Sequence, residues 1–419
     1  MDLSQSAIIL LGLAMIILFG KFAEFIFKRF FIPDTILLVC LGVGIGPIGI
    51  GWVTGLSPLI ISSFTTFALL FLLFDGALEI KLSSIVKDLG HGLSLTLINF
   101  IVSVALITGI MWVFHYPIIL SLLVGFMLGG ISSSFVIPLL KQLTVSEKTY
   151  SQLTLESALT DMLCIVSALS VINLITLNTL STKQAAIDLM VSFSVAFFVG
   201  IVMALIWVFI ETKVLQNAGE YMLTIAVLII TAIITEFFGG NGAISALFFG
   251  IILKNSKNIT NFFLGVTSKQ ESVKQQAIKG ELGKNALSPS EQVFYDQISF
   301  FLKTVFFVYI GTLLSFSDPM SILIGVGIVA LLLIGRLISS FVTRGQKPFD
   351  RKIISAMVGR GLAAAALVQT AVAANVPGIA SVTEIIYFVI VASILASSLK
   401  VFFVMWQAKH HPELTSGEQ

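Results

Sequence analysis

Glu156 and Asp161 stand in LTLESALTDMLCI, residues 153–165, within an apolar run that continues to about Leu177. An ionised carboxylate at membrane depth costs about 2.5–3.5 kcal/mol even on lenient insertion scales. Two in one helix call for something positive to meet them, and in a membrane carrier that is a proton or a cation. A helix turns about 100° per residue, so these two side chains point about 140° apart. Asp161 shares its face with Ser157 and Cys164, whereas Glu156 shares its face with Thr160. The spacing therefore predicts two jobs. Asp161, with Ser157, faces a wet cavity and binds the ion. Glu156 faces protein and needs a cationic partner.

Arg336 is the first candidate for that partner. It lies deep in DPMSILIGVGIVALLLIGRLISSFVTR, and an arginine keeps its charge in the bilayer. Arg360, in SAMVGRGLAAAALVQTAVAANVPG, is the alternative partner for Glu156, or else lines the inner vestibule. Lys303, in ISFFLKTVFFVYIG, reads as a snorkelling lysine near a span end. Lys21 and Glu24 stand at the three-residue spacing of a local helix pair. Asp75 and Glu79 fall toward one end of a span, with Glu79 reaching the interface. Asn241, in the glycine-rich junction after Glu236, reads as part of a turn.

Two segments read as interrupted helices. Residues 127–140, MLGGISSSFVIPLL, combine glycines, Ser132, Ser133, Ser134 and Pro138. Residues 359–378 run GRGLAAAALVQTAVAANVPG, with Gln369, Thr370 and Asn375 among small residues. Glycine and proline weaken helical bonding and leave hydroxyls and carbonyls free to meet an ion.

These elements belong to a polytopic membrane protein. Of 419 residues, 57% are hydrophobic and only 11% charged, against about 25% charged in soluble domains. A crossing helix needs about 20 apolar residues. That predicts spans at about 6–28, 33–51, 57–80, 91–114, 117–140, 153–177, 185–210, 219–238, 240–254, 292–315, 319–343, 353–375 and 380–405. The whole of 1–419 reads as a single transmembrane domain. Approximate repeats 6–177 and 219–405 are joined by a linker helix, 185–210, and the two interrupted spans are each the fifth of their half. Because each half has six spans and a single linking span follows the first, the repeats are expected to be inverted, with the substrate site at mid-membrane. Lysines and arginines gather in alternate connections, including the long 255–291 loop. By the positive-inside rule those connections are cytoplasmic, with the N-terminus outside and the C-terminus inside. The N-terminus lacks a basic flank and a small-residue cleavage site, so it reads as the first span rather than a cleaved signal.

Other chemistry finds no support in the sequence. His91, His115, His410 and His411 are scattered at span ends and the tail, and neither a P-loop nor a dinucleotide fingerprint occurs. The net charge of +2 gives no nucleic-acid signal. Cys40 and Cys164 read as packing residues. The expectation is a non-enzymatic carrier without a cofactor, driven by ion gradients.

FLLFDGALEI, GGISSSFVIPLLKQL, LESALTD, GGNGAISALFFGIILKN, ISFFLKTVFFVYIG and VGRGLAAAALV, in that order along the chain, resemble segments of the cation/proton antiporter superfamily. They are most similar to the sodium/proton exchangers of its NhaP-like branch. The resemblance implies an all-α fold of about thirteen transmembrane helices, in two inverted six-helix repeats with crossed broken helices. It also implies a homodimer that works by alternating access. Asp161 then matches the ion-binding aspartate, and Ser157 a site oxygen. Glu156 and Arg336 match a structural ion pair. Arg360 matches the arginine of an Arg-Gly motif. Thr160 departs from the Asn or Asp usual before that aspartate, and Ile131 from a usual Thr. One charge rather than two at the site points to electroneutral exchange.

The expected activity is exchange of Na⁺ or Li⁺ for H⁺ across the cell membrane, serving pH homeostasis. Proton and transported Na⁺ would compete for Asp161, with oxygen ligands from Ser157, Thr160, Ser132 and Ser133. The alternatives are a K⁺/H⁺ exchanger, an electrogenic exchanger or an ion channel using the same acidic site.

Overall fold

The computed structural model describes residues 5–30, 33–46, 58–78, 82–140, 142–176, 182–214, 221–263, 289–314, 318–338, 343 and 345–410. Helices alone make up its regular structure among these residues. In chain order they are α1 (Gln5–Phe30), α2 (Asp34–Ile45), α3 (Pro58–Leu78), α4 (Leu82–Val113), α5 (Ile118–Met127), α6 (Ser133–Leu140), α7 (Glu147–Thr176) and α8 (Thr182–Lys213). There follow α9 (Tyr221–Phe237), α10 (Gly242–Phe263), α11 (Pro289–Leu313), α12 (Pro319–Gly335), α13 (Pro348–Ala356), α14 (Leu362–Ala373) and α15 (Ile379–His410). A 3₁₀ turn, Arg336–Ile338, continues α12.

Seven described helices are long and apolar enough to cross a membrane, and shorter apolar helices, α2, α5, α9 and α14 among them, lie between. Leu18, Trp112, Phe198 and Phe237 are exposed. In water this would be a liability, but a lipid tail meets such side chains without penalty. The interior carries the unusual residues instead: Glu156, Ser157, Arg336 and Arg360 are all buried.

Two expected spans are each a pair of helices. Residues 117–140 form α5 and α6 around a non-helical stretch at 128–132, and residues 353–375 form α13 and α14 around 357–361. The second break comes earlier than the small-residue composition suggested. Gly359 and Gly361 interrupt the helix, but the alanines and Gln369 that follow are regular α14. Alanine is the strongest helix former, so this stretch holds its backbone bonds. The 255–291 connection also begins later than expected, because α10 runs on to Phe263. Residues 264–288 of that loop, and Glu79, lie outside the described residues.

The chain divides into two compact units. One comprises 1–65, 88–178 and 301–419. In it α7 runs beside α5, α6 and α14, while α15 packs against α12, α13 and α14. The other comprises 66–87 and 179–300, with α8 beside α9 and α10. Its core includes the tilted and edge-on rings of Phe71, Phe74, Phe249 and Tyr295.

Candidate ion site at the crossing of two broken helices

Within the first unit the two breaks meet. The Ser132 amide donates to the Gly359 carbonyl at 2.9 Å. No side chain fits between the two non-helical segments at Gly361, because a Cβ there would lie 2.0 Å from Ser132 Oγ. Gly130 is confined in the same way, with Thr160 and Cys164 of α7 under 3.0 Å from a notional Cβ. These contacts explain why glycines stand at the breaks: they allow backbone to touch backbone and the neighbouring helix.

An interrupted helix leaves peptide groups without intrahelical partners, and in lipid each must be met by protein. Helix α7 meets the first break. The Ile131 amide donates to Thr160 Oγ1 at 3.1 Å, and the Gly130 amide points to Cys164 Sγ at 3.0 Å. The Thr160 hydroxyl has one proton to give, to either the Ile131 carbonyl at 3.4 Å or the Ser157 carbonyl at 3.2 Å. Helix α15 meets the second break through two serines four residues apart. Ser393 Oγ accepts from the Arg360 amide at 2.9 Å, and Ser397 Oγ donates to the Ala356 carbonyl at 2.6 Å.

Asp161 faces the start of α6. Its Oδ2 accepts from Ser133 Oγ at 2.7 Å and from the Ser133 amide at 3.2 Å. A helix N-terminus carries partial positive charge and unpaired N–H groups, so a carboxylate is favoured there. Asp161 is half-buried while Ser157, one turn earlier, is buried and donates to the Thr154 carbonyl at 3.0 Å. Ser132 exchanges a hydrogen bond with Ser134, Oγ to Oγ, at 2.8 Å.

Glu156 points elsewhere. Arg336 engages it in a two-pronged ion pair, with Nη1 on Oε1 and Nη2 on Oε2 at 2.8 Å. Arg336 Nε donates to the Ile354 carbonyl at 3.0 Å, near the end of α13. Asn99 of α4 adds a third donor, Nδ2 to Glu156 Oε1 at 3.0 Å. Arg360 goes to neutral acceptors: Nη1 to the Gly129 carbonyl and Nη2 to Ser103 Oγ, each at 3.0 Å. A cation beside the carbonyls that follow α5 is the counterpart of a carboxylate at the start of α6.

The sequence reading missed four of these partners: Asn99, Ser103, Ser393 and Ser397. Each pair is polar, four residues apart in an apolar helix, and spacing alone could have flagged it. Lys303 was misread. Its Nζ reaches Asp34 Oδ2 at 2.7 Å, with both side chains little exposed. The stem does not snorkel because α2 and α11 approach closely. A Cβ on Gly42 would lie 2.0 Å from the Val308 carbonyl oxygen, so the start of α2 is within the lysine's reach. Lys21 does pair with Glu24, at 3.0 Å, and Asp75 accepts from Ser299 Oγ at 2.6 Å. Asn241 caps α10 by accepting from the Ile244 amide at 3.0 Å. Cys164 is buried and Cys40 exposed.

The sequence pattern of one family, described as sodium/hydrogen exchanger, transmembrane, matches residues 14–406. The chain belongs to the sodium/hydrogen exchanger family. Two curated relatives are a K⁺/H⁺ antiporter, NhaP2, of Shewanella oneidensis and a Na⁺/H⁺ antiporter of Enterococcus hirae. The first is 26% identical over 52% of this chain and 39% of its own length, the second 23% identical over 58% and 64%. The chain thus spans less than two thirds of each of these relatives. Among solved structures it is similar to the sodium proton antiporter MjNhaP1 of Methanocaldococcus jannaschii at pH 8. That likeness has a TM-score of 0.68 at 20% identity and covers 96% of both chains. An electron-microscopy structure of the same antiporter gives a TM-score of 0.69 at 20% identity, covering 100% of this chain and 99% of that one. The family and the fold agree: an all-helical, multi-pass membrane transporter.

Proposed function

We propose that this chain exchanges Na⁺ or Li⁺ for H⁺ across the cell membrane, with both ions competing for Asp161. The observation that carries this reading is the placement of Asp161. It is a half-buried carboxylate on an apolar helix, bonded to Ser133 where two unwound segments cross. A carboxylate there holds a proton or a dehydrated monovalent cation, and either occupant neutralises it. The empty, charged site crosses the membrane barrier poorly, and this couples the two fluxes. Ser133 and Ser157 supply side-chain oxygens near Asp161. Ser132 and Thr160 contribute by holding the unwound strand in place, Ser132 through Gly359 and Thr160 through Ile131.

With Thr160 neutral, one cation exchanges for one proton and no net charge moves. The chain works as a homodimer by alternating access, with inverted repeats 6–177 and 219–405 about the linker 185–210. Its lysine-bearing connections and C-terminus lie in the cytoplasm, and its N-terminus lies outside. It needs no cofactor and catalyses no covalent chemistry.

Purified protein in proteoliposomes, with a pH dye inside and Na⁺, Li⁺ or K⁺ gradients, tests this directly. The wild type is expected to move protons only when a cation is offered, and Asp161→Asn to abolish that movement. Wild-type exchange by Asp161→Asn would end the proposal. Exchange of K⁺ in preference to Na⁺ is the second reading, favoured by the likeness to a K⁺/H⁺ antiporter.

A further inference from the structure

Lys400 is a charge at membrane depth that the exchange proposed above does not use. It stands inside the apolar stretch Ile379–Ala408 of α15 and is half-buried. Lys303, also within an apolar span, has Asp34 for a partner. Lys400 has no such carboxylate among the described residues. Its Nζ instead donates to the Ser355 carbonyl at 2.7 Å, in the last turn of α13. The C-terminal end of a helix carries partial negative charge, so the ammonium finds its counter-charge there. Each of the last three carbonyls of α13 is met by a side chain: Ile354 by Arg336 Nε at 3.0 Å, Ser355 by Lys400, and Ala356 by Ser397 Oγ at 2.6 Å. The first and third also accept from backbone amides, of Met357 at 3.2 Å and Val358 at 3.1 Å. Among the described residues the Ser355 carbonyl has Lys400 alone. A peptide oxygen left bare within a membrane protein is costly, so the end of α13 depends on this one side chain.

We propose that Lys400 is a positioning residue for exchange: from α15 it fixes the end of α13, and with it the non-helical segment 357–361 that braces the oxygens beside Asp161. The path is short and bonded throughout. Segment 357–361 leaves α13 directly, and its Gly359 carbonyl accepts from the Ser132 amide at 2.9 Å. Ser133, the next residue, bonds Asp161 through its hydroxyl and its amide. Without Lys400 the last turn of α13 frays, and Ser132 and Ser133 lose their fixed neighbour. The two exchanged ions feel this differently. A proton needs one carboxylate oxygen, whereas a dehydrated cation needs several oxygens held in place. This role rests on Asp161 as the exchange site.

The test measures cation-dependent proton flux against Na⁺ and K⁺ concentration, and against pH, for the full chain in proteoliposomes. Lys400→Met is expected to raise the cation KM about tenfold while the pH of half-maximal flux at saturating cation stays in place. Lys400→Arg, which keeps a charged donor of similar reach, should restore the wild-type KM. A wild-type KM in Lys400→Met would overturn the proposal, and so would a fall in maximal rate alone, the mark of a merely structural role. Should Lys400→Met not fold, Lys400→Gln, a neutral donor of shorter reach, is expected to show the same rise in KM. Hydrogen–deuterium exchange of the purified protein decides the matter independently of transport. Peptides covering 357–361 and 132–133 should exchange faster in Lys400→Met than in the wild type, and equal rates would refute the positioning role. Absence of exchange activity in the wild type would instead count against the role of Asp161, leaving that comparison intact.

Discussion

At the scale of the residue, the two carboxylates of α7 differ in what they are offered. Asp161 meets a hydroxyl and an amide at a helix start, and no described cation pairs with it within salt-bridge distance. Glu156 is completely buried and receives a guanidinium and an amide side chain. Removing one member of a buried pair strands a charge, at a cost of about 3–5 kcal/mol. Arg336→Met should therefore sharply lower the thermal unfolding midpoint in detergent. Adding Glu156→Leu should recover most of the loss, because the stranded charge disappears. If the double variant unfolds no later than the single one, the pair does more than satisfy itself. A second prediction concerns Gly361. Its Cβ would overlap Ser132 Oγ, so Gly361→Ala should abolish flux and destabilise the crossing. Ser132→Gly in the same chain removes the obstructing atoms and should restore folding, as measured by monodispersity on size exclusion.

At the scale of the element, each broken helix is held by a continuous one. Thr160 and Cys164 of α7 serve the first break, and Ser393 and Ser397 of α15 the second. Thr160→Val leaves the Ile131 amide without its acceptor, a loss of about 1–3 kcal/mol for a buried donor. Thr160→Ser keeps the oxygen and should keep the stability, which thermal unfolding will show. The breaks were legible in part. Glycines, serines and Pro138 marked the first one well. The second was placed too late, because small residues suggest an interruption equally well when they are only good helix formers. The Lys303–Asp34 bridge was not legible at all: nothing in either segment says that α2 and α11 pass within backbone contact.

At the scale of the whole molecule, the proposed one-for-one exchange has an electrical consequence. Each net charge crossing the membrane would feel about 2.3 kcal/mol per 100 mV. Cation-dependent proton flux should be the same with and without an imposed potassium-diffusion potential. A rate that follows the voltage would mean unequal charges and an electrogenic exchanger.

Composition and periodicity alone determined that this chain is a helical membrane protein, because apolar runs of this length satisfy their backbone only as helices in lipid. The cost of charge in lipid also marked Glu156 and Asp161, and their angular spacing on one helix separated them. Only the tertiary structure decided which partner each found. Whether Arg336 or Arg360 meets Glu156 depends on where the end of α12 and the non-helical 357–361 segment pass relative to α7, and both arginines have the same charge and reach. Close approach of distant backbones sets that choice, and the glycines that permit it carry no side chain to announce their partner.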